Sequence, residues 1–419
     1  MGACLAWGAE VHVAPGANLQ TIVNRSPAES EFVLAPGVHR AEQIRLRNGD
    51  TLRGEIGAAL IGSFFLSNVS DVEIRELRLS SPLRDCIQVS GSSGVRIRAS
   101  EIGPCVGAGV VIHGSRMLVL TDNYIHPEHP VSHCCDEGDG VYAVDSTQLR
   151  IAGNVIAYGE TNIEMHGVAD ADVVGNFLLN PMGPYPRGQH VQAYFGSHDI
   201  HIEGNYLLSS KSPEYAFPEH QEDAINAGRS TSITVTGNFI TGGSSPSGCG
   251  VIADEGAHSM MIVDNTLWNT GQCGIGIASG RDHQIVGNKV RNAFLNHPGA
   301  GNTAIYVWRQ YPGDCGPVRL SGNTAFARKP TGEFSSLWIG QPSCEPVTVT
   351  QNVFGERALD ALPNEVLEAL RPAIPPGPQH CVAASPFSTN PERRCMDADT
   401  EGQGPSAPVR SRAAVSQSP

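Results

Sequence analysis

The sequence predicts an all-β chain wound as one solenoid of stacked parallel strands, and three observations carry that expectation. A short phrase recurs nine times, as LTDNYI, IAGNVI, VVGNFL, IEGNYL, VTGNFI, IVDNTL, IVGNKV, LSGNTA and VTQNVF. Its asparagines are Asn123, Asn154, Asn176, Asn205, Asn238, Asn265, Asn288, Asn323 and Asn352, spaced 31, 22, 29, 33, 27, 23, 35 and 29 residues apart. A period in the twenties and thirties with unequal insertions is that of a stacked repeat carrying its insertions as loops. Lastly, the runs before each asparagine, such as LRIAGN and IHIEGN, alternate apolar and polar residues, the period of a strand.

Each repeat holds a second run further upstream (DGVYAV, TNIEMHG, DAINAG, CGIGIASG), with Gly, Asn or Asp between runs as turns require. Two or three short strands cannot bury their own apolar face. Stacked on neighbours, they share a continuous core of Ile, Val and Leu. The asparagine is expected at the bend, in a left-handed conformation, bonding the next asparagine along the stack.

In chain order, residues 1–32 form an N-terminal segment in which ANLQTIVNRS reads as a helix over the first rung. Residues 33–355 form the solenoid. ERALDALPNEVLEALRP, covering 356–372, reads as an amphipathic helix over the last rung, since solenoid ends expose unpaired edges. Residues 373–419 are rich in Pro, Ser, Gly and Arg and read as a partly disordered tail. ACLAWGAE reads as the end of a secretory signal, either trimmed or continuing upstream of the present start.

The 419 residues carry a net charge of −14 and three lysines, which argues against a nucleic-acid partner. No apolar run is long enough to span a membrane. The eleven cysteines include pairs about one repeat apart: Cys86 with Cys105, Cys249 with Cys273, Cys315 with Cys344. Equivalent positions on adjacent rungs are close enough to bridge, which implies an oxidising compartment, secreted or periplasmic. Unbonded cysteines stacked in the core are the alternative.

This pattern resembles the right-handed parallel β-helix proteins of the pectate-lyase-like superfamily, from about Val33 to Phe354. The resemblance implies a single right-handed parallel β-helix with short helical end caps. It does not fix a reaction, because that fold hosts lyases, hydrolases, epimerases and adhesins. Within it, GPYPRGQHVQ, PEHQEDAIN, GCGVIADEG and AIYVWRQYPGDC are similar to a group of poorly characterised bacterial right-handed β-helix repeat proteins. That similarity picks out Arg187, Gln189, Gln192, Glu222, Asp223, Asn226, Asp254, Tyr306 and Trp308.

Counting back from each asparagine aligns the upstream strands. The apolar positions face the core, so the alternate positions face out. Tyr142, Asn162, Glu164, His166, Gln192 and Asn226 then form one strip, extended by Asp254 and Glu255. Gln192 reads one place off its neighbours unless a bulge intervenes. The longest insertions, 126–140, 180–190 and 209–223, flank this strip and would wall a polysaccharide cleft. Glu222, Asp223, Glu164, His166, Arg187 and Asp254 are the catalytic candidates. Tyr142, Asn162, His190, Gln192, Lys211, Asn226, Arg229, Tyr306 and Trp308 are the candidates for substrate binding.

Two readings of the chemistry follow. Elimination on a uronate-containing polysaccharide needs a base and a group that neutralises the carboxylate; Arg187 or calcium held by acids would serve, and calcium is the one cofactor implied. Hydrolysis needs two carboxyls, one acid and one base. The acidic-polysaccharide lyase is the expected activity, with a glycoside hydrolase or a non-catalytic glycan-binding β-helix as alternatives. The partner is a polysaccharide or oligosaccharide, and the chain is expected to be a monomer. The segment from His126 to Asp136 collects metal-ligand types at spacings that fit no standard zinc module.

Overall fold

A computed structural model describes residues 8–127, 138–183, 188–209, 222–243, 247–292, 303–329 and 331–372. Among them lie three parallel sheets of fourteen, thirteen and eleven strands, each strand paired with its equivalent one turn of the chain away. The first sheet runs from Glu10–Val13 to Val347–Thr350, the second from Gly37–Arg40 to Val353–Phe354, and the third from Phe64–Ser67 to Leu337–Ile339. Pairing begins earlier than residue 33, because Glu10–Val13 already pairs with Glu31–Leu34.

The core is a set of apolar columns. On the third sheet Val110, Val141, Ile163, Val191, Ile225, Val251, Ile275 and Ile305 stand in register and are fully buried. Two positions on, Ile112, Ala143, Met165, Ala193, Ala227, Ala253, Ile277 and Val307 form a second buried column.

The asparagines make the predicted ladder at the corner between the first and second sheets. Each Nδ2 donates to the Oδ1 of the next asparagine at 2.8–3.0 Å, and each backbone N–H donates to that same oxygen. The left-handed residue is not the asparagine but the one before it. Asp122, Gly153, Gly175, Gly204, Gly237, Asp264, Gly287, Gly322 and Gln351 all have φ between 52° and 67°. That explains the G-N and D-N spelling of the phrase: glycine tolerates the conformation without a Cβ penalty, and the asparagine's job is hydrogen bonding.

At the N-terminal end, helix Leu19–Arg25 buries Leu19 and Val23, and the Asn18 side chain accepts from the Thr21 N–H at 2.9 Å. At the C-terminal end the expected single helix is two short ones, Glu356–Ala361 and Asn364–Leu370. Pro363 breaks it, lacking an N–H and clashing with the preceding turn. Disulfides Cys86–Cys105, Cys249–Cys273 and Cys315–Cys344 join as the spacing predicted, with Cα–Cα distances of 5.6, 4.5 and 4.4 Å. Such bonds belong to an oxidising compartment. No helix among the described residues is long and apolar enough to cross a membrane.

Candidate active site

The third sheet's outer face carries the predicted strip. Tyr142, Glu164, Gln192, Asn226, Ile252, Gly276, Tyr306 and Trp338 form one outward column in register. His166 pairs with Tyr194, and Gly228 with Asp254, in the adjacent column. Gln192 is in step with Glu164 and Asn226, without a bulge before it. The extra residue lies after the strand: Phe195, Gly196 and Ser197 separate Val191–Tyr194 from the next strand, where Gly167 and Val168 suffice one rung earlier.

Toward the C-terminal end the face opens into a cleft of about 410 Å³ lined by Glu222, Asp223, Asp254, Tyr306, Trp308 and Tyr311, among others. Asp223 accepts the Cys249 N–H on Oδ1 at 2.7 Å and the Asn226 amide on Oδ2 at 2.9 Å. The same amide nitrogen lies 3.4 Å from Oδ2 of Asp254, so two carboxylates share one donor. Asp254 also accepts the Glu255 N–H at 3.0 Å and a bond from the Tyr311 hydroxyl. Gln189 donates to Glu222 at 3.3 Å.

Burial is the main force on these acids. It raises Asp223 well above the ordinary carboxylate range, helped by the charges of Glu222 and Asp254. Asp254 is raised as well, again chiefly by burial. Tyr306 is raised by burial and then by Asp223 and Asp254, so its phenol keeps its proton. The Tyr306 ring lies across Gly276, where a Cβ would come within 2.6 Å of ring carbon Cε1. Glycine at that outward position makes room for the ring beside the acids.

Asp223 also has a structural duty. Asp85 accepts the Ala108 N–H of the next rung at 2.8 Å, and Asp139 the Thr161 N–H at 2.9 Å, at the same place two residues before the strand. Gln88 donates to Asp85 at 2.5 Å as Asn226 does to Asp223. Asp223 is therefore one of a series of rung caps, and Asp254, which belongs to no such series, is the acid set apart.

Further toward the N-terminal end, His166 Nε2 lies 2.7 Å from Oε1 of Glu164, and the Tyr142 hydroxyl 3.4 Å from His166 Nδ1. Asn162 does not reach this face, contrary to the strip predicted, and neither does the binding candidate His190. They are 0% and 1% exposed, with Asn162 Nδ2 at 3.1 Å from His190 Nδ1 and His190 Nε2 at 3.0 Å from Ser209. Burial pushes the His190 pKa down to about 3, so this imidazole is neutral. Arg229 turns toward Glu255, Nε to Oε2 2.6 Å, rather than toward the acid group. Trp308 packs on Trp338, centroids 5.8 Å apart.

Arg187 and Lys211 lie outside the described residues, as do most of the three flanking insertions and the metal-type segment beyond Pro127. Among the described residues, no group of three or more His, Cys, Asp or Glu is arranged to hold a metal ion. The sequence reading missed Tyr311 and Trp338. Trp338 was findable as the next outward position beyond Tyr306, but it stands 14 residues before Asn352 where Glu164 and Asn226 stand 12 before their asparagines, so counting back passes it.

Residues 62–212 match the model of the right handed beta helix region family. Together with the three parallel sheets, that decides the architecture. The chain is a right-handed parallel β-helix repeat protein. This β-helix is similar to the catalytic domain of a GH87 alpha-1,3-glucanase solved in complex with tetrasaccharides, at 12% identity and a TM-score of 0.53, over 82% of this chain and 69% of that one. It is also similar to the catalytic unit of the thermostable GH87 alpha-1,3-glucanase from Streptomyces thermodiastaticus strain HF3-3, at 13% identity and a TM-score of 0.51, over 85% and 70%. A third similar structure is Geobacillus virus E2 ORF18, at 11% identity and a TM-score of 0.48, over 64% of this chain and 56% of that one. The β-helix thus spans little more than half the length of the viral protein. At such identities the likeness is one of fold. No curated protein matches the sequence.

Proposed function

We propose that this β-helix is an extracytoplasmic enzyme that hydrolyses a polysaccharide at the acid cleft. The observation that carries the reading is Asp254: half-buried, raised, bonded by Asn226 and Tyr311, and facing a cleft whose walls include Trp308 and Tyr306. A carboxyl whose pKa is raised suits the general acid such a reaction needs, and a second carboxylate supplies the base. Asp254 protonates the glycosidic oxygen as its bond to the anomeric carbon breaks. Water attacks that carbon and gives its proton to Glu222. Indole and phenol faces beside the acids offer apolar surface for sugar rings. The fold shared with two glucanases and the three disulfides support a carbohydrate-active protein outside the cytoplasm.

Elimination remains a second reading on one observation, the Glu164–His166–Tyr142 group, in which a carboxylate orients an imidazole beside a phenol. Arg229 is engaged with Glu255, so the neutralising cation of that reading would be Arg187 or Lys211. Incubation with a panel of polysaccharides separates the two. Hydrolysis yields new reducing ends without ultraviolet absorbance, whereas elimination yields unsaturated uronate ends that absorb. Loss of reducing-end release in Asp254→Asn but not in His166→Ala is the expected result; the reverse pattern sinks the hydrolytic proposal.

A further inference from the structure

After each of the first eight third-sheet strands the chain turns through a left-handed residue. From the strand Phe64–Ser67 onward these corners are Asn68, Gly91, Gly114, Asp145, Gly167, Phe195, Arg229 and Glu255, with φ between 43° and 61°. The first five are residue types that tolerate this conformation. The last three are not, and a bulky aromatic there is an outlier. Large residues also occupy left-handed positions elsewhere, as Met117 and Gln148 do, so strain alone proves nothing. What sets these three apart is that they are consecutive, that they border the active face, and that they touch.

The Phe195 ring is 52% exposed and stands 4.9 Å from the His166 ring and 4.4 Å, perpendicular, from Tyr194. The Arg229 guanidinium lies 5.4 Å from the Phe195 centroid and 5.7 Å from that of Tyr194. Its Nε is 2.6 Å from Glu255 Oε2, and Glu255 is also hydrogen-bonded to the Tyr194 hydroxyl. The Tyr194 ring lies across Gly228, where a Cβ would sit 1.9 Å from a ring carbon. Three rungs about 4.8 Å apart thus carry a continuous edge of aromatic face, cation and carboxylate, ending beside Asp254. The residue inserted in the Phe195–Ser197 turn accompanies the exposed ring.

We infer that Phe195, Arg229 and Glu255 form a recognition rail for a neutral glycan, one sugar ring lying on Phe195 and its hydroxyls bonding the Arg229–Glu255 pair. The inference rests on the hydrolytic reading of the adjacent cleft. The chemistry favours neutral sugars over uronates. The charges of Arg229 and Glu255 compensate each other, the neighbouring cleft is lined by Glu222, Asp223 and Asp254, and the whole chain carries −14. An ion pair offers donors and acceptors together, which suits vicinal hydroxyls and not a carboxylate.

The test uses the full chain bearing Asp254→Asn, which holds substrate without turning it over, on an immobilised panel of neutral oligosaccharides and oligouronates. Retention of neutral glycans is expected, weakened about tenfold by Phe195→Gly and by Arg229→Gly. Because glycine is the residue used at equivalent corners, the melting temperature should hold or rise in both variants. Preferential retention of oligouronates, no retention, or unchanged retention by both glycine variants overturns the rail. So does weakened retention accompanied by a lower melting temperature in both Phe195→Gly and Phe195→Asn, which would mark a structural corner. Full cleavage by Asp254→Asn alone would instead remove Asp254 from the chemistry and leave the binding results readable.

Discussion

Burial raises the Asp254 pKa, and that has two measurable consequences. As the general acid, Asp254→Asn should lower kcat by roughly 10²–10⁴ with KM little changed, read from reducing-end release. Its folded pKa lies above the ordinary value of 3.8. Between those two values the folded chain binds more protons than the unfolded one, so this group's contribution to stability falls as pH rises through the window and stays low above it. Asparagine never ionises. The Asp254→Asn protein should therefore melt higher than the parent at neutral pH, with the gain vanishing below about pH 3.8. A variant that melts lower than the parent at neutral pH would mean that the carboxylate is stabilised where it sits. Asp223→Ala should behave differently. It orphans the Cys249 N–H and the Asn226 amide, at a cost of about 1–3 kcal/mol that shows in full below about pH 3.8 and is offset as pH rises, because burial raises Asp223 too. Glu164 and Asp254 were legible in the sequence because charged residues at outward strand positions stand out from an apolar alternation, whereas Glu222 and Asp223 precede the strand Ile225–Gly228 and were picked out by the QEDAIN phrase. The capping role of Asp223 was not, because it shows only when Asp85 and Asp139 are seen bonding the next rung. Asn162 and His190 were misplaced for a related reason: at the start of the strand the chain is still turning, so alternation does not yet decide which way a side chain points.

The corner at the asparagine ladder divides two jobs between adjacent residues, and mutation can separate them. In Asn205→Ala the Asn176 N–H and Nδ2 lose a shared acceptor and the Val173 carbonyl loses a donor, all of them buried. A loss of about 2–4 kcal/mol is expected, a large effect for one surface-distant amide. Gly204→Ala meets no atom within 4 Å and suffers only the left-handed backbone at φ 60°, about 1–2 kcal/mol. If thermal melts show the glycine change to be the costlier, the ladder is not what holds the corner. The same division explains what the sequence made visible. Nine repeats of one phrase fixed the parallel stacking and the corner, while the ladder undercounted the rungs. Toward the N-terminus Ser100 takes the place of asparagine, its N–H donating to Asn123 Oδ1 at 3.1 Å. A second ladder, in which Ser115 Oγ accepts from the Ser92 N–H and Ser146 Oγ from the Ser115 N–H, both at 3.1 Å, went unread. Serine is too common in turns to announce itself by spacing.

Over the whole molecule each rung touches only its neighbours, so stability is a sum of local terms and damage should stay local. The disulfides follow that logic, each tying neighbouring turns of the chain rather than distant parts. Cys315–Cys344 sits at the last complete rung, beneath strand Val347–Thr350, whose outer residues are largely exposed. Beyond that strand the first sheet has no further partner among the described residues, leaving an edge held by Cys344 and by the pairing with Val318–Ser321. Replacing both cysteines by serine removes a cross-link over 29 residues, worth about 3.6 kcal/mol in the chain-entropy account. In a globular domain that loss would be spread over the whole structure. Here it should appear as fraying from one end: amide hydrogen exchange should quicken in Val318–Ser321 and Val347–Thr350, while the rungs around Asn154 and Asn176 keep their protection. The Trp338 edge of the cleft should loosen with that end, so substrate binding should weaken before the Asp254 chemistry is affected. Uniform acceleration of exchange from the first rung to the last would show that the stack melts as one cooperative unit and that the end disulfide acts on all of it.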